Sequence, residues 1–250
     1  MRIISKEQQA YGAFNNGEIV ENKPIGFPQD GGGVKPFSNL FYWANAIALK
    51  DSTIGLHPHQ GFEIISFILE GTIRHYDTQM DAWKDLHKGD IQIIRAGSGI
   101  SHAEHMMEGS RMFQIWVDPD LSKTMSMEAS YSDYKSNEFE IKKEDGHTVK
   151  QLIGADSHFV LDAANLSIQE VEISSSYKVT IDAEEIIAYY LLDGRLTLDD
   201  NQINVDDLIL IEDAGQYNFS GAGKLFEVRC HVSPGYLTYA QRMASSSHMN

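Results

Sequence analysis

The stretch FEIISFILEGTI, residues 62–73, is an apolar run that breaks at Glu70-Gly71 and then resumes. Short runs of this kind, rich in isoleucine and phenylalanine and bounded by glycine-containing turns, are typical of β-strands. The same pattern recurs in Ile91 to Ile94 and, in the second half of the chain, in Ile186 to Leu192 and Leu208 to Ile211. The sequence therefore predicts an all-β protein, either a barrel or a sandwich.

Two segments of the first half recur in the second half in the same order. FILEGTI (67–73) matches YLLDGRL (190–196), and GDIQII (89–94) matches DDLILI (206–211). We therefore predict two tandem copies of one β-barrel. The predicted division is an N-terminal barrel over residues 1–125, a polar linker or crossover over 126–150, and a C-terminal barrel over 151–250.

Two triplets carry side chains that bind metals, His57-Pro58-His59 and His102-Ala103-Glu104. Residues two apart on an extended strand point to the same face, so each triplet presents two ligand groups in one direction. Imidazole and carboxylate ligands together suit iron, manganese, cobalt, nickel, copper or zinc. Four protein ligands on a six-coordinate metal leave two positions for water, oxygen or substrate. The triplets therefore predict a reactive metal site in the N-terminal barrel.

The second copy lacks this ligand set. Aligning the repeats places other residues at the four positions, namely Thr180, Asp182, Ser220 and Ala222. We expect the C-terminal barrel to be structural or to form a wall of the site.

Composition excludes several functions. The chain has 36 acidic and 20 basic residues and a net charge of −16, which repels a nucleic-acid backbone. Its single cysteine, Cys230, cannot form an intrachain disulfide, which fits a reducing compartment. Charged and polar residues stand where a signal peptide would be apolar, and no run is long enough for a transmembrane helix. We predict a cytoplasmic protein without a membrane or direct nucleic-acid partner.

Other residues receive structural interpretations. The run Asp30-Gly31-Gly32-Gly33 predicts a surface loop, because no Gly-Lys-Ser/Thr follows it. Most aromatic and methionine residues near the triplets are expected in the core, although they could line a pocket for a flat substrate: Trp83, Met106, Met107, Phe113 and Trp116. The histidines outside the triplets are expected on the surface or in the core: His75, His87, His105, His147, His158, His231 and His248.

Five motifs occur in order across about sixty residues: HPHQGFEI (57–64), LEG (69–71), GDIQ (89–92), AGSGISHAE (96–104) and QIW (114–116). This series closely resembles the pirin family of the cupin superfamily. The resemblance implies a bicupin, with a metal-binding N-terminal barrel and a degenerate C-terminal one. It also implies one divalent metal, usually iron, held by His57, His59, His102 and Glu104. The family often has a basic residue where this chain has Gln60, and we expect that change to alter the charge near the metal or the rim of the pocket.

Two glutamates compete for the role of carboxylate ligand. Glu104 matches the ligand of the pirin pattern, and we favour it. Glu63 lies four residues after His59 and would face the same way on an uninterrupted strand. If Glu104 is the ligand, Glu63 is expected to hydrogen-bond a ligand imidazole and fix its tautomer. The alternative, in which Glu63 is the ligand, stays open.

The resemblance implies two functions of different classes. The first is an oxygenase of the quercetin 2,3-dioxygenase type, in which a small flavonol-like aromatic reacts with dioxygen and Glu104 or Glu63 accepts the hydroxyl proton. The second is a non-enzymatic, iron-dependent regulator that responds to redox state and acts on a protein partner. We rank the enzyme first, because four ligands with open metal positions suit chemistry.

Overall fold

The computed structural model describes residues 1–154, 157 and 161–247 of the chain, and strands dominate them. The first twelve strands are β1 (Arg2–Ile4), β2 (Ala10–Phe14), β3 (Ile19–Ile25), β4 (Leu40–Ala48), β5 (Ser52–His59), β6 (Glu63–Glu70), β7 (Thr72–Asp77), β8 (Ala82–His87), β9 (Ile91–Arg95), β10 (Ile100–Met106), β11 (Arg111–Val117) and β12 (Ser130–Tyr134). The others are β13 (Ile141–Glu144), β14 (His147–Ile153), β15 (Leu166–Ile173), β16 (Ser176–Ile181), β17 (Glu185–Leu198), β18 (Asn201–Ile203), β19 (Leu208–Ile211) and β20 (Gly215–His231). Two helices are α1 (Leu121–Thr124) and α2 (Tyr239–Ser247), and short 3-10 turns span Lys6–Gln8, Asn15–Gly17 and Ser136–Glu138. The predicted all-β class is confirmed.

The described residues divide into two compact units, each assembled from separate parts of the sequence. The N-terminal unit contains Gln9–Glu138, Leu161–Ala163 and Gly235–Asn250, and the C-terminal unit contains Met1–Gln8, Phe139–Val160 and Ala164–Pro234. Residues 126–150, the predicted linker, include β12, which pairs with β9, and β13, which pairs with β14. The predicted boundaries at 125 and 151 stay a prediction.

The N-terminal unit consists of two antiparallel sheets. The seven-stranded sheet has the order β12-β9-β6-β11-β4-β3-β2, and the four-stranded sheet has the order β5-β10-β7-β8. Strand β6 is buried from Glu63 to Ile68, which explains why its sequence is mostly apolar instead of alternating between apolar and polar residues. Trp43 and Phe113 are fully buried on neighbouring strands, and their rings meet edge to face at 5.2 Å.

The C-terminal unit has one nine-stranded antiparallel sheet around its own apolar core. The matched glycines of the repeat, Gly71 and Gly194, have positive φ angles of 72° and 89°. In the first copy this glycine forms the turn between β6 and β7, whereas in the second it follows a register shift within β17. Thr180 pairs with Gln216 instead of Ser220, so the two copies differ in register near the predicted ligand positions.

Candidate metal centre

Strands β5 and β10 bring the three predicted histidine ligands together. His57 and His102 are direct partners across the two strands, and His59 lies two residues further along β5. The ligand atoms of the three imidazoles lie within 4.8 Å of one another, and the Nε2 atoms of His59 and His102 are 2.9 Å apart. A search of the described residues for groups of three or more histidine, cysteine or acidic side chains that could hold a metal ion finds these three histidines.

A β-bulge in β5 orients the first ligand. His102 pairs with His57 and Glu104 pairs with Ile54, so two residues of β5, Gly55 and Leu56, stand opposite Ala103 alone. The Nδ1 atom of His57 lies 2.8 Å from the Gly55 carbonyl oxygen, to which Nδ1–H can donate. That hydrogen bond selects the tautomer in which the Nε2 lone pair of His57 is available to a metal.

The donor chemistry of the histidines fits a divalent transition metal. Burial, with a contribution from His57, lowers the pKa of His59 to about 4, and burial together with the neighbouring histidines lowers that of His102 to about 2. Both imidazoles are therefore neutral at pH 7, as metal ligands must be. Nitrogens bound at about 2.0–2.1 Å and at right angles lie about 2.9 Å apart, which matches the separation of the two Nε2 atoms.

Glu104 is a buried carboxylate that lines the same cavity as His57 and His59. Both of its oxygens accept hydrogen bonds from Gln114 Nε2, at 3.0 and 2.9 Å, and Gln92 Nε2 lies 3.4 Å from Oε1. Burial raises the pKa of Glu104 to about 7, although the hydrogen bonds from Gln114 oppose that rise. The carboxylate can therefore exchange a proton near neutral pH. Its place in the metal ligand set stays a prediction.

Glu63 lies in different surroundings. Strand β5 ends at His59 and β6 begins at Glu63, and Gly61 between them has a φ of 83°, so the uninterrupted strand that the alternative assignment requires is absent. The carboxylate accepts backbone N–H bonds from Asp162 at 2.9 Å and Ala163 at 2.7 Å. It lines a small separate cavity rather than the one beside the histidines.

The sequence interpretation missed the environment of His75. This histidine is fully buried on β7, its Nε2 lies 2.9 Å from Asp77 Oδ2, and its ring lies 5.6 Å from that of His102. The pair His75-Asp77 has the same two-residue spacing as the ligand triplets, and that spacing was the available signal.

His158 and His248 lie outside the described residues. Gln60 is exposed, and its amide donates to the Ser98 carbonyl oxygen at 3.1 Å.

His57 and His59 border a cavity of about 480 Å³, a volume typical of small-molecule sites. Trp116, predicted to pack inward, forms part of its wall, with its ring 4.8 Å from that of His59. Of the other aromatic and methionine candidates, Met106 and Phe113 are core residues, and Trp83 and Met107 are exposed. Sequence reasoning missed a charged cluster on the same cavity wall, formed by Glu21, Lys23 and Asp30.

A second cavity, of about 610 Å³, adjoins this wall. Phe27 and Trp116 border both cavities. The second cavity is otherwise lined mainly by apolar side chains, among them Phe41, Phe62 and Tyr239.

Part of the chain matches one protein family. Residues 24–117 match the family model described as Pirin. The chain is 39% identical over 69 residues to quercetin 2,3-dioxygenase of Escherichia coli K12, which covers 26% of this chain and 29% of that protein. It is 36% identical over 100 residues to human Pirin, covering 39% of this chain and 34% of the relative. These alignments thus span about a third of the relatives' own length. The resemblance to the pirin family is confirmed.

A solved structure extends the likeness in fold to both units. The bacterial pirin YhhW of Escherichia coli, in complex with nickel(II), matches 92% of this chain and 97% of that chain with a TM-score of 0.75 and 17% identity. The prediction of a two-domain all-β cupin is confirmed. Neither helix in the described part of the chain has the length and hydrophobicity needed to cross a bilayer.

Proposed function

Because residues 24–117 match the pirin family, we propose that this protein is a metal-dependent oxygenase of the quercetin 2,3-dioxygenase type, acting on a flavonol-like aromatic. The observation that carries the proposal is the convergence of His57, His59 and His102 at the edge of an aromatic-lined cavity that also contains Glu104. Three imidazoles can bind a metal while leaving coordination positions for reactants.

His57, His59 and His102 would hold the metal, with iron as the resident ion and Glu104 as the fourth ligand. The nickel in the structure of the bacterial relative is a second metal to test. When bound, the metal supplies Lewis-acid and electron-transfer chemistry for the reaction between the aromatic substrate and dioxygen.

Glu104 accepts the proton of the substrate hydroxyl group at one of its carboxylate oxygens. A general base works best when its pKa lies near the operating pH; burial raises the pKa of Glu104 toward that range, and a bound metal would pull it down. Gln114 donates to both oxygens and thereby holds the carboxylate in one orientation. Glu63 is not given this role, because it lines a separate small cavity, whereas Glu104 lines the cavity that His57 and His59 border.

Aromatic side chains of the cavity wall bind the substrate. Trp116 packs against His59, and Phe27 lies 5.3 Å from Trp116, so a planar substrate that reaches the histidines contacts aromatic rings.

The direct test is quercetin-dependent oxygen uptake by protein reconstituted with iron, manganese, cobalt, nickel or copper. We expect turnover with at least one metal, and loss of both turnover and bound metal in His57→Ala. His105→Ala is the matched control, because His105 lies on the same strand as His102 but is partly exposed and contacts Thr53. Absence of uptake from protein that carries about one metal per chain would refute the oxygenase.

Two glutamate variants test the base. We expect Glu104→Gln to lose turnover but still bind the flavonol, and Glu63→Gln to keep turnover. The reverse result would transfer the role to Glu63.

The iron-dependent regulator is the alternative prediction, and no geometry of the described residues favours it. The cytoplasmic location also stays a prediction.

A further inference from the structure

Three charged side chains meet in the cavity of the metal centre and have no part in the mechanism above. Lys23 Nζ lies 3.1 Å from Glu21 Oε1 and 2.9 Å from Asp30 Oδ2. Glu21 is 6% exposed, and the Lys23 side chain is 11% exposed. Tyr42 O–H donates to the second oxygen of Glu21 at 3.2 Å. We call Glu21, Lys23 and Asp30 the charged cluster.

Such a cluster is costly to place in a largely buried position. Removing ions from water costs several kcal/mol each, and apolar residues of similar volume often stabilise a fold as well or better. Since all three residues border the cavity that contains His57 and Glu104, their placement points to a role in binding rather than in stability.

Aromatic rings connect the charged cluster to the histidines. Lys23 Nζ lies 5.8 Å from the centre of the Phe27 ring and 5.9 Å from that of Tyr42. The Tyr42 ring lies 5.3 Å from that of Trp116, which in turn lies 4.8 Å from that of His59. A planar aromatic ligand can therefore lie along these rings with one part at the histidines and another at the charged cluster.

The charges of the cluster select the polar group that it can bind. An ammonium has three N–H groups, and the contacts with Glu21 and Asp30 use two of them, so one is available to a ligand oxygen. The carboxylates can accept a hydrogen bond from a ligand. Two carboxylates and one ammonium carry a net negative charge, which disfavours an anionic group. A neutral hydroxyl, which both donates and accepts, suits the cluster.

From this geometry we infer that Glu21, Lys23 and Asp30 form a subsite for a phenolic hydroxyl group on the ring of the substrate that does not face the histidines. The inference rests on the proposed function and adds to it that the substrate is a polyhydroxylated aromatic, not an aromatic carboxylic acid. Lys23 donates to the hydroxyl oxygen, and Glu21 or Asp30 accepts the hydroxyl proton in a hydrogen bond.

Anaerobic calorimetric titration of metal-loaded protein with two flavonols tests the subsite. Quercetin carries hydroxyl groups on its outer rings, and 3-hydroxyflavone has the same ring skeleton without them. We expect Lys23→Met to weaken quercetin binding about tenfold, the loss of one hydrogen bond to a charged group, and to change 3-hydroxyflavone binding less than about twofold. Lys88→Met is the matched control, since Lys88 pairs with Glu70 on the exposed surface, and it should change neither affinity.

A second variant guards against misfolding, because Lys23→Met leaves two buried carboxylates without their cation. Glu21→Gln is nearly isosteric and keeps the Lys23–Asp30 ion pair. We expect it to weaken quercetin binding by about threefold to tenfold and to leave 3-hydroxyflavone binding unchanged. Equal losses for both ligands, or no loss for quercetin in either variant, would overturn the subsite.

Oxygen uptake measured on the same preparations separates the two proposals. A hydroxyl preference that depends on Lys23 but comes without oxygen uptake would refute the oxygenase and keep the subsite. Oxygen uptake with equal affinity for both flavonols would refute the subsite and keep the oxygenase. Wild-type protein that binds neither flavonol would overturn both.

Discussion

Replacing Glu63 by glutamine should change how the stability of the N-terminal unit depends on pH. Glu63 is 1% exposed, and burial raises its pKa to about 7 from an ordinary value of 4.5, against the opposing effects of the Asp162 and Ala163 amides and of Arg95. A carboxyl whose pKa is higher in the folded than in the unfolded state binds its proton more tightly when folded. Its contribution to stability is complete below pH 4.5 and is lost as the pH rises through 7.

The size of this effect follows from the two pKa values. They differ by about 2.5, and each unit corresponds to about 1.4 kcal/mol, so wild-type protein should lose about 3 kcal/mol of unfolding free energy between pH 4.5 and pH 8 through this group. Glu63→Gln has no titrating group here and should lack that loss. At low pH the variant should be less stable by about 1 kcal/mol, because the glutamine NH₂ cannot accept the second backbone N–H bond.

Denaturant unfolding followed by tryptophan fluorescence measures the stability of the N-terminal unit, which contains Glu63. The three tryptophans of the chain, Trp43, Trp83 and Trp116, all belong to the N-terminal unit. The measured quantity is the difference in unfolding free energy between variant and wild type at each pH. It should rise by about 3 kcal/mol in favour of the variant from pH 4.5 to pH 8.

A difference that stays constant across this pH range would refute the reasoning. Such a result would mean that Arg95 and the two backbone amides keep the Glu63 carboxylate ionised at every pH tested. Arg95 Nε lies 3.4 Å from Glu63 Oε1. Arg111→Lys, a change elsewhere in the same unit, is the control for general effects of substitution.

Three further changes have outcomes set by local geometry. Gly97→Ala should destabilise the N-terminal unit by about 1–3 kcal/mol in the same assay, because Gly97 has a φ of 47° and a Cβ would lie 2.5 Å from the Met127 carbonyl oxygen. Phe113→Ala should cost about 3–5 kcal/mol of unfolding free energy, since the side chain is fully buried. Gln114→Leu removes both hydrogen bonds to Glu104 and should lower oxygen uptake or metal affinity about tenfold or more, measured by an oxygen electrode and by elemental analysis; unchanged values would show that Gln114 does not orient Glu104.

Sequence reasoning was most accurate where a property depends on neighbours along the chain. The direction of a side chain on a strand alternates with a period of two, so the spacing of His57 and His59 was enough to predict that both face one side. Gly71 and Gly194, which the repeat matches to each other, both have positive φ angles, although only Gly71 lies in a turn between two strands.

The location of Glu63 could not be predicted in this way. The same period-two rule placed it beside the histidines, but the backbone turns at Gly61 and ends the strand. Its hydrogen-bonding partners, Asp162 and Ala163, lie about a hundred residues further along the chain. No local pattern in the sequence connects these segments.

The sequence by itself thus determined the all-β class, the repeated strand pattern and the histidine spacing of the candidate metal centre, because strand periodicity and turn chemistry are local. Only the tertiary structure decided the bulge at Gly55 that orients His57, and the placement of Lys23 and His57 on the wall of one cavity. Both depend on strand register and on the return path of the chain, which are set by packing between residues distant in sequence.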